Sequence, residues 1–381
     1  MNVDKLKEEI IAYSKTIGID KIGFATAEPF IELKERLKRQ QQLNYQSGFE
    51  HSNIEERTHP ELLMPGAKSF IAIAVAYPSK IKNPPKNEKE NRRGIFARAS
   101  WGRDYHDVLR DRLNKLASFI IERVPRADIQ SMVDTGALSD RAVAERAGIG
   151  FSGKNCAIIT PEFGSYVYLG EMVTNIPFSP DQPIEDSCGS CNLCIEACPT
   201  GALVQGGQLD SNKCLSFLTQ TKDFLSLEYR DKIGNRLYGM DTCQIVCPRN
   251  KGIDFHLHHE LEPDPEIAMP KLKPLLKMSN REFKEKFGHI SGSWRGKKPI
   301  QRNAILALAH FKDKTAVGDL IQLMKEDPRP VIRGTAAWAL GKIGDERALK
   351  SLKEAKEKEK DEKVLIEIDT GLKMLNNQPI S

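Results

Sequence analysis

Residues 188–203 read CGSCNLCIEACPTGAL, with four of the chain's eight cysteines inside one short loop and a proline after the last. The spacing Cys188-x2-Cys191-x2-Cys194-x3-Cys198-Pro199 aims three thiolates of a tight turn at one [4Fe–4S] cube. It sends the fourth, carried off by the next helix, to a second cube. A structural zinc site usually separates two CxxC pairs by a longer insert, so zinc fits this run less well. A second cube needs ligands downstream, and Cys214 and Met240-x2-Cys243-x3-Cys247-Pro248 supply them, the latter repeating the ending of the first run. Crossing assigns Cys188, Cys191, Cys194 and Cys247 to cluster one, and Cys198, Cys214 and Cys243 to cluster two. Position 240, where the repeat asks for cysteine, is methionine, a neutral thioether and a weak ligand. The fourth ligand of cluster two is therefore open at Met240. Cys156, the eighth cysteine, reads more simply as a small buried residue opening a strand.

Outward from this run, helices alternate with apolar strands. Residues 4–16 are amphipathic and predict a helix, and SFIAIAVAYP (69–78) predicts a strand buried on both faces. SKIKNPPKNEKENRRG (79–94) is a polar, proline-bearing loop whose charge is solvation. Helical periodicity returns over 105–124, and IQSMVDTG (129–136) reads as a strand entering a turn. LSDRAVAERAG (138–148) predicts a helix opened by a Ser-Asp cap and closed by glycine. CAIITPEFGSYVYLGEMVT (156–174) alternates like a hairpin. The expected fold is a multidomain α+β or α/β protein. An α/β domain would span 1–180, a ferredoxin-like two-cluster domain 181–255, a linker 256–299 and helical repeats 300–381.

The repeats rest on self-similarity. NAILALAHFKD (303–313) and TAAWALGKIGD (335–345) align at a fixed offset, pairing Ala304 with Ala336, Leu308 with Leu340 and Asp313 with Asp345. Helix pairs of this kind stack into a short HEAT-like solenoid, a binding platform.

Composition bounds the function classes. Lys and Arg number 57 against 52 Asp and Glu, a net charge of +5, which permits a nucleic-acid partner without demanding one. No long apolar run is present, so neither a membrane span nor a signal peptide is expected and a cytoplasmic location is. Free thiols persist there. GIGFSGKN (148–155) nearly spells a phosphate loop, but ends in Asn155 where Ser or Thr should reach magnesium, and follows a helix. A glycine-rich corner is the default. HLHHE (256–260) reads as a solvated loop. RASWGRDYH (98–106) crowds an indole, a phenol, an imidazole and a carboxylate before a helix, with Asp104 as its cap. Asp134 sits at the end of an apolar strand, where α/β folds build their sites; partial desolvation could keep it protonated as an acid. GSWRGKKPIQR (292–302) packs Arg295, Lys297, Lys298 and Arg302 around Trp294. It reads as a solvated basic linker unless the substrate is a nucleic acid, whose phosphates would pair the cations and whose bases would stack on the indole.

Six stretches in this order resemble one family. They are FARASWGRDYHDVLR, MVDTGALSDRAVAERAGIGFSGKN, CGSCNLCIEACPTGAL, RLYGMDTCQIVCPRNKG, GSWRGKKPIQRNA and the terminal helical pair, and together they resemble the epoxyqueuosine reductases, cobalamin-dependent iron–sulfur enzymes of queuosine biosynthesis. The resemblance implies reduction of an epoxycyclopentane on the tRNA wobble base to the alkene, with electrons passing from the clusters to cobalamin. It implies Asp134 as proton donor, with Tyr105, His106 and Arg141 around the substrate. It implies corrin contacts from Arg57, Ala97, Asp134, Ile158 and Leu169, and from Ser216, Met240, Asp241 and Thr242 on the cluster side. Trp294, Arg295, Lys297 and Lys298 would contact tRNA. An external electron donor is implied, and a monomer is expected. Met240 departs from the family's cysteine and leaves the composition of cluster two open. Two alternatives remain: a corrinoid reductive dehalogenase, which usually carries an export signal, and a non-catalytic electron carrier docked through its solenoid, which would leave Asp134 without a role.

Overall fold

The structure, a computed structural model, describes residues 2–379. The chain folds into two compact units, each assembled from three stretches of sequence. The first takes residues 1–80, 102–214 and 241–262; the second takes 81–101, 215–240 and 263–381.

The first unit is built on a four-stranded sheet in the spatial order Lys21–Thr26, Ser69–Ala76, Val167–Thr174, Ile129–Met132, with every pairing antiparallel. It is an α+β layer. All eight residues of Ser69–Ala76 are buried, as its unbroken apolar run requires of a strand covered on both faces. The helix Tyr105–Arg123 packs against one face, where Gly170 leaves room for Leu109 and Leu113. On the other face Phe70, Ala72, Ala74 and Val173 form a core with Val143, Ala144 and Ala147 from the region of the helix Asp140–Arg146.

Two local expectations change. Residues 156–174 are not a hairpin: Ile158–Ile159 pairs with Phe151–Ser152, whereas Val167–Thr174 lies between Ser69–Ala76 and Ile129–Met132. The period-two pattern is the same for a half-exposed hairpin and for a central strand that buries a polar residue. Ser139 stands at the N-cap of its helix but makes no capping hydrogen bond with its side chain.

The second unit is mostly helical. Lys297–His310, Val317–Glu326, Pro330–Ile343, Arg347–Lys358 and Glu362–Leu375 carry the repeat. The offset read from the sequence recurs in the backbone. Asp313 accepts the Thr315 amide at 2.9 Å and Asp345 accepts the Arg347 amide at 3.0 Å, each closing the turn into the next helix. Gly341 and Gly371 let two of these helices touch backbone to backbone, since a Cβ at Gly341 would lie 2.5 Å from the Gly371 Cα. The loop 79–94 is less solvated than its charge suggested. Arg93 is buried, donating to the Met269 carbonyl at 2.8 Å and pairing with Glu266 at 2.8 Å. Among the described residues no helix is long and apolar enough to cross a membrane.

Candidate active site

Asp104 opens the helix Tyr105–Arg123 as expected, accepting the His106 amide at 3.0 Å. The same oxygen meets His106 Nδ1 at 2.7 Å, which fixes the ring and turns Nε2 toward Asp134. Nε2 lies 3.4 Å from Asp134 Oδ2, an ion-pair distance outside hydrogen-bond geometry. Tyr105 stacks on Tyr168 with centroids 4.7 Å apart and on His106 at 4.1 Å. Tyr105 thus lies against the imidazole on one side and Tyr168 of the strand Val167–Thr174 on the other.

The electrostatics revise one expectation. Burial would push the His106 pKa down, but the Asp104 hydrogen bond and the close carboxylates of Asp104 and Asp134 overcome it and raise it to about 9. Asp134 moves the other way. The imidazolium lowers its pKa against a smaller opposing effect of burial, with help from Tyr105. Its side chain is 62% exposed. Desolvation therefore does not keep Asp134 protonated here: the resting site holds a carboxylate beside an imidazolium, with the proton on His106. The strand argument also changes, because Ile129–Met132 is a partly exposed edge strand of an antiparallel sheet.

Asp134 adopts a left-handed backbone, φ +54°, and donates its amide to Asp140 Oδ2 at 2.7 Å. Sequence reading gave Asp140 only a part in the Ser-Asp helix cap and passed over the fully buried Glu171 that acts on it. The only signal available was an acid inside an otherwise apolar strand.

Arg141 donates to the Cys156 carbonyl. It also acts on Arg57, whose pKa is lowered first by burial and then by this second cation, with Glu50 opposing. Ile158 is 3% exposed and belongs to the core behind the sheet. Leu169 lies at the edge of the same core. In the second unit, Ala97 and Ser216 gather at Gly239, where a Cβ would lie 2.5 Å from the Ala97 Cβ and 3.9 Å from the Ser216 Oγ. Met240 follows Gly239 and packs on that unit's apolar core.

All seven motif cysteines fall in the first unit and are free thiols. They act on one another both within and across the two sets. After burial and hydrogen bonding, Cys188 feels Cys247, and Cys194 feels Cys188 and Cys247. Cys243 is pushed up to about 12 by burial and then by Cys214, Asp241, Cys194 and Cys198. Cys198 runs against its burial and is lowered, because the amides of Leu203, Thr200 and Ala202 hydrogen-bond its sulfur. Thiols crowded so that their charges repel fit a cationic centre. Among the described residues no three such groups converge on a single ion. A cube fits this spread, since it offers each thiolate a separate iron. The forces on Cys156 are burial, which raises its pKa, and Arg141, which opposes the rise. It lies in a turn at φ +64° and does not open a strand.

The corner GIGFSGKN has work that the sequence did not reveal. Lys154 Nζ donates to the Gly189 carbonyl at 2.7 Å and to Asn192 Oδ1 at 3.0 Å, and Asn155 Nδ2 donates to the Cys243 carbonyl at 3.4 Å. It braces both cysteine runs. HLHHE is not a solvated loop either, since His258 is held by Asp20 at 2.7 Å and His256 by Glu262 at 2.8 Å.

The basic stretch divides. Trp294 is 54% exposed, with Nε1 on Gln220 Oε1 at 2.8 Å and the Arg295 guanidinium 4.9 Å from its ring. Lys297 begins a helix and donates to the Met278 carbonyl at 2.7 Å. Arg302 is 1% exposed and belongs to the core, donating to the carbonyls of Leu218, Thr221 and Asp223 at 2.7–2.9 Å. It is no part of a phosphate surface.

Comparisons with known proteins agree with this arrangement. Residues 57–135 match the family described as epoxyqueuosine reductase QueG, DUF1730; residues 187–250 match a 4Fe-4S double cluster binding domain, and residues 296–369 match HEAT repeats. A Bacillus cereus epoxyqueuosine reductase is 70% identical over 375 residues, 98% of this chain and 99% of its own. A crystal structure of epoxyqueuosine reductase with a tRNA-Tyr epoxyqueuosine-modified stem loop superposes with a TM-score of 0.97 at 66% identity, covering 98% of this chain and 100% of that one. A Bacillus subtilis epoxyqueuosine reductase whose Asp134 catalytic loop is swung out of the active site matches with the same TM-score, identity and coverage. Identity of this extent across nearly the whole of both chains places the protein in the epoxyqueuosine reductase family.

Proposed function

We propose that this chain reduces the epoxide of epoxyqueuosine at the tRNA wobble position to the alkene of queuosine. The observation that carries the reading is the Asp104–His106–Asp134 chain in the same unit as two crossed cysteine sets. Two electrons and two protons convert the epoxide to an alkene: both C–O bonds break, the C=C bond forms and the oxygen leaves as water. When bound, the clusters supply single electrons from an external donor and a corrinoid supplies a metal centre that can gather them.

The residues present fit these groups. Cys188, Cys191, Cys194 and Cys247 would hold one cluster and Cys198, Cys214 and Cys243 the other. Arg57, Arg141, Leu169, Asp241 and Thr242 are the first-unit residues that would hold a corrinoid. Two guanidiniums acting on each other with only Glu50 to offset them suit a group that brings anionic or carbonyl oxygen. The protein's own part is the proton. His106 stores it and Asp104 orients the ring. Asp134, closed over by substrate, loses water, takes the proton from Nε2 and passes it to the leaving oxygen. A positioned acid of this kind contributes ~10²–10⁴-fold. Trp294, Arg295 and Lys298 are the members of the basic stretch left to meet tRNA.

The test is anaerobic reconstitution with iron, sulfide and corrinoid quantified, followed by reaction with an epoxyqueuosine-bearing tRNA stem-loop. Mass spectrometry should show loss of one oxygen atom from the modified base; an unchanged base in a fully loaded, reduced enzyme would refute the reading. In the same preparations Met240→Cys should raise iron content. Unchanged iron and an unchanged low-temperature EPR signal would show that another ligand already completes cluster two.

A further inference from the structure

We propose that Asp140 and Glu171 are positioning residues for Asp134: a buried carboxyl pair that shares one proton and uses its remaining charge to hold the Asp134 amide. The inference rests on the reading of Asp134 as the acid, and it concerns what keeps that acid in place.

Asp134 is held in a conformation that side chains other than glycine avoid, φ +54°, although aspartate tolerates it better than most. Such a backbone persists where its surroundings over-determine it. Here the Asp140 carboxyl supplies the constraint, accepting the Asp134 N–H at 2.7 Å from the first turn of its helix. Beneath Asp140 lies Glu171, in a strand with neighbours on both sides. The residues opposite it, Ala72 and Met132, carry no charge. Glu171 meets no donor outside the pair: its side-chain partner is the Asp140 carboxyl, and the charged groups that act on it are Asp140 from the helix and Asp134 from the turn. Among the described residues no cation acts on Glu171; the His106 imidazolium pairs with Asp134. Two carboxylates cannot both stay charged there, so one keeps a proton.

The proton belongs on Glu171. Asp140 is stabilised as an anion by two backbone amides, those of Asp134 and of Asp140 itself, whereas Glu171 has none. The titration directions agree: burial raises Asp140 to about 6 and drives Glu171 well above the ordinary glutamate range. The pair therefore carries one negative charge near neutral pH, placed on the oxygen that grips the turn. Each carboxyl is the other's side-chain hydrogen-bond partner, which requires a proton between them and lets each govern the other's charge.

The sign of the stability effect follows. Glu171 holds a proton when folded that the unfolded chain releases above the usual glutamate pKa. Its burial thus costs more stability as pH rises from there toward neutrality. Glu171→Gln removes that cost, so its melting temperature should exceed the parent's near neutral pH and converge with it in acid.

The experiment uses the full holoenzyme with Asp140→Asn and Glu171→Gln. Hydrogen exchange in the segment spanning Asp134 should quicken by ~10-fold in Asp140→Asn, the scale of a lost charge-assisted hydrogen bond. In that variant kcat should fall by ~10-fold while KM for the stem-loop stays within about twofold. Infrared difference spectra, parent minus Glu171→Gln, should show a protonated-carboxyl band near neutral pH. Unchanged exchange in Asp140→Asn, or a carboxylate band in place of the protonated one, would overturn the pair. If Asp140→Asn does not fold, the infrared band and the melting curves of Glu171→Gln still decide. If exchange quickens but Asp134→Asn keeps full turnover, the acid assignment fails and the positioning pair stands.

Discussion

Residues 132–141 of the first unit and 292–302 of the second are both short, polar and glycine-bearing, and both sit at the entrance to a helix. The structure uses their charges in opposite ways. Around Asp134, ionisable groups face one another with bonds left incomplete: His106 Nε2 stops at 3.4 Å, and Glu171 is met by the Asp140 carboxyl alone. Around Trp294 the cations are largely spent on carbonyls, Lys297 on Met278 and Arg302 on three more. A charge whose hydrogen bonds are complete is a structural element. One whose bonds are incomplete keeps free energy available for a reaction.

That contrast can be broken most forcefully at Arg302. If its charge is structural, Arg302→Met strands buried carbonyls of Leu218, Thr221 and Asp223, and unfolding free energy should drop by about 2–4 kcal/mol. The salt dependence of tRNA binding by the folded fraction should not change. A flattened salt slope with a normal melting curve would instead return Arg302 to the RNA surface.

At the other region, the pH profile reads the proton store. The charges that raise His106 to about 9 come from Asp104 and Asp134, so kcat/KM should fall as pH climbs through that value. Any stability gained from the same pairing is complete below the ordinary histidine pKa and is lost as pH rises through about 9. Asp104→Asn should move the alkaline limb down. An unmoved limb would place the titrating group elsewhere.

The smallest effect sharpens what remains of the basic stretch. Lys298→Ala should flatten the slope of log K against log salt by roughly 0.7–0.9, one phosphate's worth, and leave cofactor spectra alone. An unchanged slope would mean that Lys298, like Lys297, serves the fold.

How much of this was legible in the sequence depended on distance along the chain. The cysteine spacing, the two-sided strand Ser69–Ala76, the Asp104 cap and the helical repeat are patterns of near neighbours, and all of them recur in the structure. The order of the sheet was not legible, because the strand Val167–Thr174 is inserted between partners from distant parts of the sequence. The burial of Glu171 was hidden for the same reason: an acid at alternating spacing marks a solvent face unless a second layer covers it. Lys154 and Asn155 looked like a failed phosphate loop, and only the fold carries them to the cysteine runs. The protonation state of Asp134 turned on His106, 28 residues away in sequence but 3.4 Å away in space.

The proton path through Asp134 is tested most directly by single turnover of the loaded, reduced enzyme on an epoxyqueuosine stem-loop, comparing the parent with Asp134→Asn. Cluster and corrinoid spectra and RNA affinity should be preserved, while the rate of alkene formation falls by ~10²-fold or more. A rate near the parent's would contradict Asp134 as the group that delivers the proton.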